Sequence, residues 1–202
     1  MALLLALFLL QGPGEGWNLV QAPPREVKRV YWELFETTEV WVLLLPGSPQ
    51  GEPAPVNIVF QAFFSGRAKR DPYSKLPQWP KGEPETLTVR VQPFPMTVNY
   101  DLSLRLVVDD ETFDLGATCP SAGGSGPPLL RPPPGGGCQI LYSGEVYSGV
   151  SVKVQPALLQ RLAKARVVTG TALGFPILLS SDDLGAVGKF AEAVHLNVAP
   201  RK

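Results

Sequence analysis

Residues 155–196 read QPALLQRLAKARVVTGTALGFPILLSSDDLGAVGKFAEAVHL, and their changing periodicity decides the fold class. Pro156 suits the first position of a helix, where a missing N–H costs nothing. Leu158, Leu159, Leu162 and Ala163 then share one side, while Gln160, Arg161 and Lys164 share the other. Residues 166–173 and 177–179 turn strand-like on either side of Gly174-Phe175-Pro176. Ser181 precedes a second helix, with Asp182 and Asp183 in its first turn, where carboxylates suit the helix dipole. Leu184, Val187, Phe190, Ala191 and Val194 form its apolar stripe. Gly185 and Gly188 each cost about 1 kcal/mol relative to alanine in a helix interior, and their shared face predicts a compensating close backbone contact. The order is helix, hairpin, helix.

Everything upstream reads as strand and turn. Residues 27–45 are rich in Val, Trp, Leu and Thr, and Glu36-Thr37-Thr38-Glu39 interrupts them. Two strands joined near Thr37, or one long bent strand, account for this pattern. Residues 46–55, PGSPQGEPAP, are a loop by composition. Ile58, Phe60, Ala62 and Phe64 alternate with their neighbours, as do Leu87, Val89 and Val91, and Leu102, Leu104, Leu106 and Val108. Such alternation marks half-buried strands with one wet face. Asp109-Asp110-Glu111-Thr112 reads as a hairpin turn. Residues 139–142 and 146–154 return to strand, with Val150, Val152 and Val154 facing inwards.

Many strands followed by a helix, a hairpin and a helix predict a mainly β protein with a small α component, of the α+β class. The expected architecture is an antiparallel β-sandwich or sheet, with residues 155–196 packed on it as a C-terminal helix-hairpin-helix portion. Those residues resemble the endings of various small bacterial envelope proteins. The likeness rests on apolar spacing and carries no functional residue with it.

Two features predict an extracytoplasmic address. The run ALLLALFLL at residues 2–10 is too short to span a bilayer, which takes about 20 residues, but it fits the apolar core of a secretory signal. Gly14-Glu15-Gly16 supplies small residues for cleavage before Trp17, so residues 1–16 read as a signal peptide and 17–202 as a single β-rich domain. The second feature is Cys119 and Cys138, the only two cysteines, which bracket 18 residues that are two-thirds proline and glycine. Their pairing as a disulfide suits an oxidising compartment. Closing such a loop adds roughly 3 kcal/mol in the chain-entropy view.

The chemistry on offer is sparse. Eighteen basic and eighteen acidic residues cancel, which argues against a nucleic-acid binder working through phosphate neutralisation. The one histidine, His195, sits at the end of the last helix and reads as a dipole partner or surface residue. Ser125 lacks the nucleophile-elbow pattern. The cysteines form neither a redox motif nor, with one histidine, a zinc set. No cofactor or metal is expected. Asp109-Asp110-Glu111 and Asp182-Asp183 could serve a glycosidase only if two carboxyls converged across a cleft. GAVGKF at 185–190 has the wrong spacing for a phosphate loop.

What remains is binding through loops. Residues 67–85 form a long segment, basic in its first half, that carries Tyr73 and Trp79. These aromatics stack on a partner or cap one end of the core. Within the closed loop, Leu129, Leu130 and Arg131 interrupt the proline and glycine, and predict contact with another chain or with the protein's own surface. The expectation is a secreted or periplasmic, non-enzymatic module that binds another protein or an envelope polymer. A carboxylate-dependent hydrolase and a purely structural envelope component are the alternatives. No stable membrane span is expected.

Overall fold

The computed structural model describes residues 23–32, 36–65, 69–70, 77–78, 82–93, 103–115, 138–143 and 146–196. Two antiparallel sheets and two helices make up most of them. In the first sheet, strands β1 (Lys28–Trp32), β2 (Thr37–Leu44) and β3 (Val56–Ser65) run in sequence order. Beyond β3 lie β6 (Thr86–Pro93), β10 (Val146–Lys153) and β9 (Cys138–Ser143). Between β3 and β6 the chain forms a small ribbon of β4 (Lys69–Arg70) and β5 (Pro77–Gln78). The segment expected as one structureless loop thus has a ladder of its own.

The stretch 27–45 is two strands, with Lys28 opposite Trp41 and Trp32 opposite Thr37. Glu36, at φ 47°, sits at the turn. Thr37, Thr38 and Glu39 do not interrupt the pattern as expected. They open β2, and Thr38 and Glu39 are wholly buried.

The period of two explains the first sheet's inner face. Val40, Val42 and Leu44 lie beside Ile58, Phe60 and Ala62, then Leu87, Val89 and Val91, then Val150 and Val152. All belong to one hydrophobic cluster that also takes in the second sheet and both helices. Trp41, Leu43 and Val59 point from the opposite face and form a separate small cluster.

The second sheet has the order β12 (Phe175–Leu179), β11 (Val168–Ala172), β7 (Leu104–Val108), β8 (Glu111–Asp114). The β7–β8 turn is the acidic one expected, with Asp109 at φ 52°. Its carboxylate accepts from the backbone N–H groups of Arg166 (2.9 Å) and Val167 (3.1 Å), which fixes the turn to the start of β11. Pro176 lies within β12, an edge strand, where a missing N–H is tolerated. Part of that edge is covered by the 46–55 loop, since Gly47 exchanges two backbone hydrogen bonds with Leu178.

Helix α1 (Pro156–Lys164) buries Leu158, Leu159, Leu162 and Ala163, the face its spacing predicts. Helix α2 (Ser181–Ala193) contacts α1, β2 and β12. Its Phe190 ring meets Phe60 of β3, with centroids 6.2 Å apart. The cap is Ser180, one residue before the expected Ser181. Ser180 Oγ accepts from Asp183 N at 3.2 Å, and Asp183 Oδ2 accepts from Ser180 N at 3.0 Å. This reciprocal box satisfies two donors of the first turn. At the other end His195 N donates to Glu192 O and Leu196 N to Ala191 O. That is a Schellman closure, with His195 in the left-handed position usually given to glycine. Leu196 is buried beneath it.

The glycines of α2 depart from expectation. A Cβ placed on Gly185 or Gly188 meets nothing within 4 Å, so no close approach compensates their cost. Among the described residues no helix is long and apolar enough to cross a membrane.

Candidate functional site

Three places combine polar groups with a defined geometry. The first lies on the outer face of the six-stranded sheet. Because β1, β2, β3 and β6 are in register, the even positions of β1 and β6 and the odd positions of β2 and β3 bring Trp32, Glu39, Gln61, Thr88 and Arg90 to that face. Glu39 is wholly buried. Its Oε2 accepts from Trp32 Nε1 at 3.0 Å and its Oε1 from Gln61 Nε2 at 2.9 Å. Burial pushes its carboxyl above the usual glutamate range. The two hydrogen bonds and the charge of Arg90 pull the other way. Thr88, opposite Gln61, has its Oγ1 buried without a hydrogen-bond partner among the described residues. The arrangement offers one carboxyl in a low-dielectric setting.

The second place is a cleft of about 500 Å³ between the segment 23–29 and the exposed flank of α2. Arg25 lies near one end of α2 and Arg29 near the other. Arg25 Nε donates to Asp183 Oδ1 at 2.8 Å, and its backbone N–H donates to Leu43 O. The hydrogen bond to Asp183 holds the Arg25 guanidinium still more firmly in its charged form. Arg29 Nη2 reaches Ala193 O at 3.5 Å. Lys28 and Lys189 complete the charged lining, and Glu26 is its one acid. Lys28 Nζ is 2.7 Å from Glu26 Oε1.

A second cleft, of about 450 Å³, lies beside the acidic hairpin and is lined by Asp109, Asp110, Glu111, Arg161 and Lys164. Arg161 of α1 forms an ion pair with Glu111 and stands over the Phe113 ring, 5.6 Å from its centroid. These contacts hold the hairpin against α1. Among the described residues no group of three or more His, Cys, Asp or Glu side chains is arranged to hold a metal ion.

The sequence-predicted binding residues Tyr73, Trp79, Leu129, Leu130 and Arg131 all lie outside the described residues, as does Cys119. Cys138 opens β9. The acidic pairs are described, and they do not converge. Asp109 and Glu111 serve the β7–β8 hairpin, while Asp183 serves the α2 cap. His195 is exposed at the helix end, as expected. Sequence reading missed both Glu39 and the Arg25 cleft. The signal for Glu39 was its place in the alternation of β2, three residues before Val42. The cleft joins positions more than 150 residues apart and left no local signal. The chain matches no known family model, no curated protein and no solved structure.

Proposed function

We propose that this chain is an extracytoplasmic, non-enzymatic β-rich module that binds another protein or an envelope polymer through its loops. In this reading residues 1–16 are removed as a leader and Cys119 pairs with Cys138. Tyr73, Trp79, Leu129, Leu130 and Arg131 supply the contacts. The observation that carries the reading is the engagement of the acidic pairs. Asp109 binds backbone amides, Glu111 pairs with Arg161, and Asp183 caps a helix and pairs with Arg25. Carboxylates committed in this way are poorly placed to act as the two facing groups of a glycosidase.

The test is affinity capture from the native extracellular or envelope fraction, with the intact protein, a variant lacking residues 120–137, and a Tyr73→Ala/Trp79→Ala variant. A partner retained by the intact chain and lost from either variant is expected. Identical partner lists from all three remove the loops as the binding elements. Mass spectrometry of the mature chain checks the address: a start at Trp17, and a gain of two hydrogens on reduction.

The hydrolase reading keeps one supporting observation, the buried Glu39 with its raised carboxyl. Hydrolysis of a polysaccharide panel that disappears in Glu39→Gln would favour it.

A further inference from the structure

We propose that Glu39 and Gln61 form a proton-driven switch on the outer face of the six-stranded sheet: when Glu39 takes up a proton, the Gln61 amide turns over, accepts from the new O–H and presents its N–H groups to Thr88 of β6. The inference rests neither on the loops nor on the address proposed above.

The first ground is the bonding of the carboxyl. Oε2 accepts from Trp32 Nε1 at 3.0 Å, and Oε1 accepts from Gln61 Nε2 at 2.9 Å. Two oxygens that both accept are the pattern of an ionised group, since a carboxylic acid must also donate an O–H. Yet Glu39 is wholly buried, and burial favours the neutral form. The proton that neutralises it comes from solvent and needs an acceptor. The Trp32 indole N–H only donates, so Oε2 remains an acceptor and the proton settles on Oε1. There it would face the Gln61 N–H, donor against donor. Gln61 carries a carbonyl on the same amide, and half a turn about its last side-chain torsion exchanges the two. That torsion is broad and two-fold, so the strand need not move.

The second ground is a hydroxyl ready to receive the turned amide. Gln61 of β3 stands opposite Thr88 of β6. Thr88 is 8% exposed, and its Oγ1 is buried with no hydrogen-bond partner among the described residues. A buried hydroxyl is rarely left so. Side chains directly opposed across a ladder lie within reach of each other, and rotation of either one closes the pair. The hydroxyl proton swings to suit, so Thr88 Oγ1 can accept the N–H that the turn brings round. In the neutral state Glu39, Gln61 and Thr88 are then all bonded.

The third ground is the electrostatic setting. The charged groups sharing this face are Lys28 of β1, which pairs with Glu26, Arg90 of β6, and Lys153 of β10, opposite Thr88. β3 brings no charged side chain to the face, and Glu85 at its end bonds Ser65. Glu36 stands at the turn between β1 and β2. Arg90 draws Glu39 towards its ionised form. Lysine and arginine carry no acceptor, so these cations bias the switch but cannot take the Glu39 O–H. The Gln61 carbonyl can.

The experiment is a side-chain NMR titration of the full chain from acid to neutral pH. The Glu39 carboxyl carbon reports ionisation, the Trp32 indole N–H reports the bond to it, and nuclear Overhauser contacts of the Gln61 Nε2 protons report which way the amide faces. All three signals should shift with one common midpoint. Below it the Gln61 amide protons should gain contacts to the Thr88 methyl, and above it they should lose them. Thr88→Val should lower the proton affinity of Glu39 about fivefold, the worth of one ordinary hydrogen bond, and Thr88→Ser should restore it. In Glu39→Gln the Gln61 contacts should not depend on pH. Gln61 contacts that stay fixed while Glu39 titrates would overturn the switch, as would a Glu39 carbon that does not move. An unchanged midpoint in Thr88→Val would remove Thr88 from it, and pH-dependent contacts surviving in Glu39→Gln would place the titrating group elsewhere.

Discussion

Arg25 Nε donates to Asp183 Oδ1 across 2.8 Å, joining residues 158 positions apart. The Asp183 side chain is wholly buried, while the Arg25 side chain keeps 39% of its surface exposed. Asp183 also accepts from Ser180 at the start of α2. One carboxylate thus fixes both the helix cap and the segment that leads into β1. Arg25→Met removes a charge-assisted bond but leaves the cap in place. The expected cost is about 2 kcal/mol, at the lower end for a bond whose donor is partly wet. Asp183→Ala should cost more, because the cap is lost as well. Urea denaturation of the two variants checks the order. Equal losses would mean that the cap adds nothing beyond the pairing with Arg25, and no loss in Arg25→Met would mean that Arg25 contributes nothing.

Three glycines should respond in opposite directions to the same change. Gly185 and Gly188 lie inside α2 with open space where a Cβ would be, so alanine stabilises each by up to about 1 kcal/mol. Gly170 lies in β11 against β7, where a Cβ would stand 2.0 Å from the carbonyl oxygen of Arg105. That atom is backbone and cannot swing aside. Gly170→Ala must spread β7 from β11, at roughly 3 kcal/mol. Thermal midpoints of the three variants decide this. Destabilisation by alanine at 185 or 188 would contradict the open space around them.

His195 holds the left-handed position of a Schellman closure at φ 60°. A side chain there costs roughly 1–2 kcal/mol relative to glycine. His195→Gly should therefore raise stability by about 1 kcal/mol, after the loss of whatever the imidazole contributes. His195→Val should lower it, since β-branched residues tolerate this conformation least. A chevron analysis checks both.

Much of this fold was legible in alternation and in helix signals. The strands around Phe60, Val89 and Leu106 appear where a period of two places them, and α1 buries the four residues that its spacing selects. Local chemistry located the α2 cap to within one residue, because Ser180 and Ser181 are adjacent and only the hydrogen bond to Asp183 distinguishes them. Glu39 escaped because a Glu-Thr-Thr-Glu run reads as a break. Cross-strand neighbours make it a strand: Trp32 and Gln61 satisfy the carboxylate from either side. The pairing of Arg25 with Asp183 depends on how the ends of the chain meet, and that is a property of the assembled core.

Glu39 sets a pH dependence that can be read directly. Burial raises its carboxyl above the value of an unfolded glutamate. Between the unfolded and folded values the native chain binds more protons, so its stability falls as pH rises through that window. The contribution is fully present below the unfolded value and is gone above the folded one. Glu39→Gln removes the titration and keeps the shape. The new amide can still accept from Trp32, and Gln61 can turn its own amide to accept from the other side. Stability of the variant should therefore lose this part of the decline with pH. Glu39→Leu removes the titration too, but it leaves the Trp32 indole and the Gln61 amide without an acceptor, at about 2 kcal/mol or more for the two stranded donors. Denaturant midpoints from acid to neutral pH distinguish the cases. If wild type and Glu39→Gln run parallel across that range, the carboxyl binds protons alike in the folded and unfolded chain, and the buried network is not the source of the pH response.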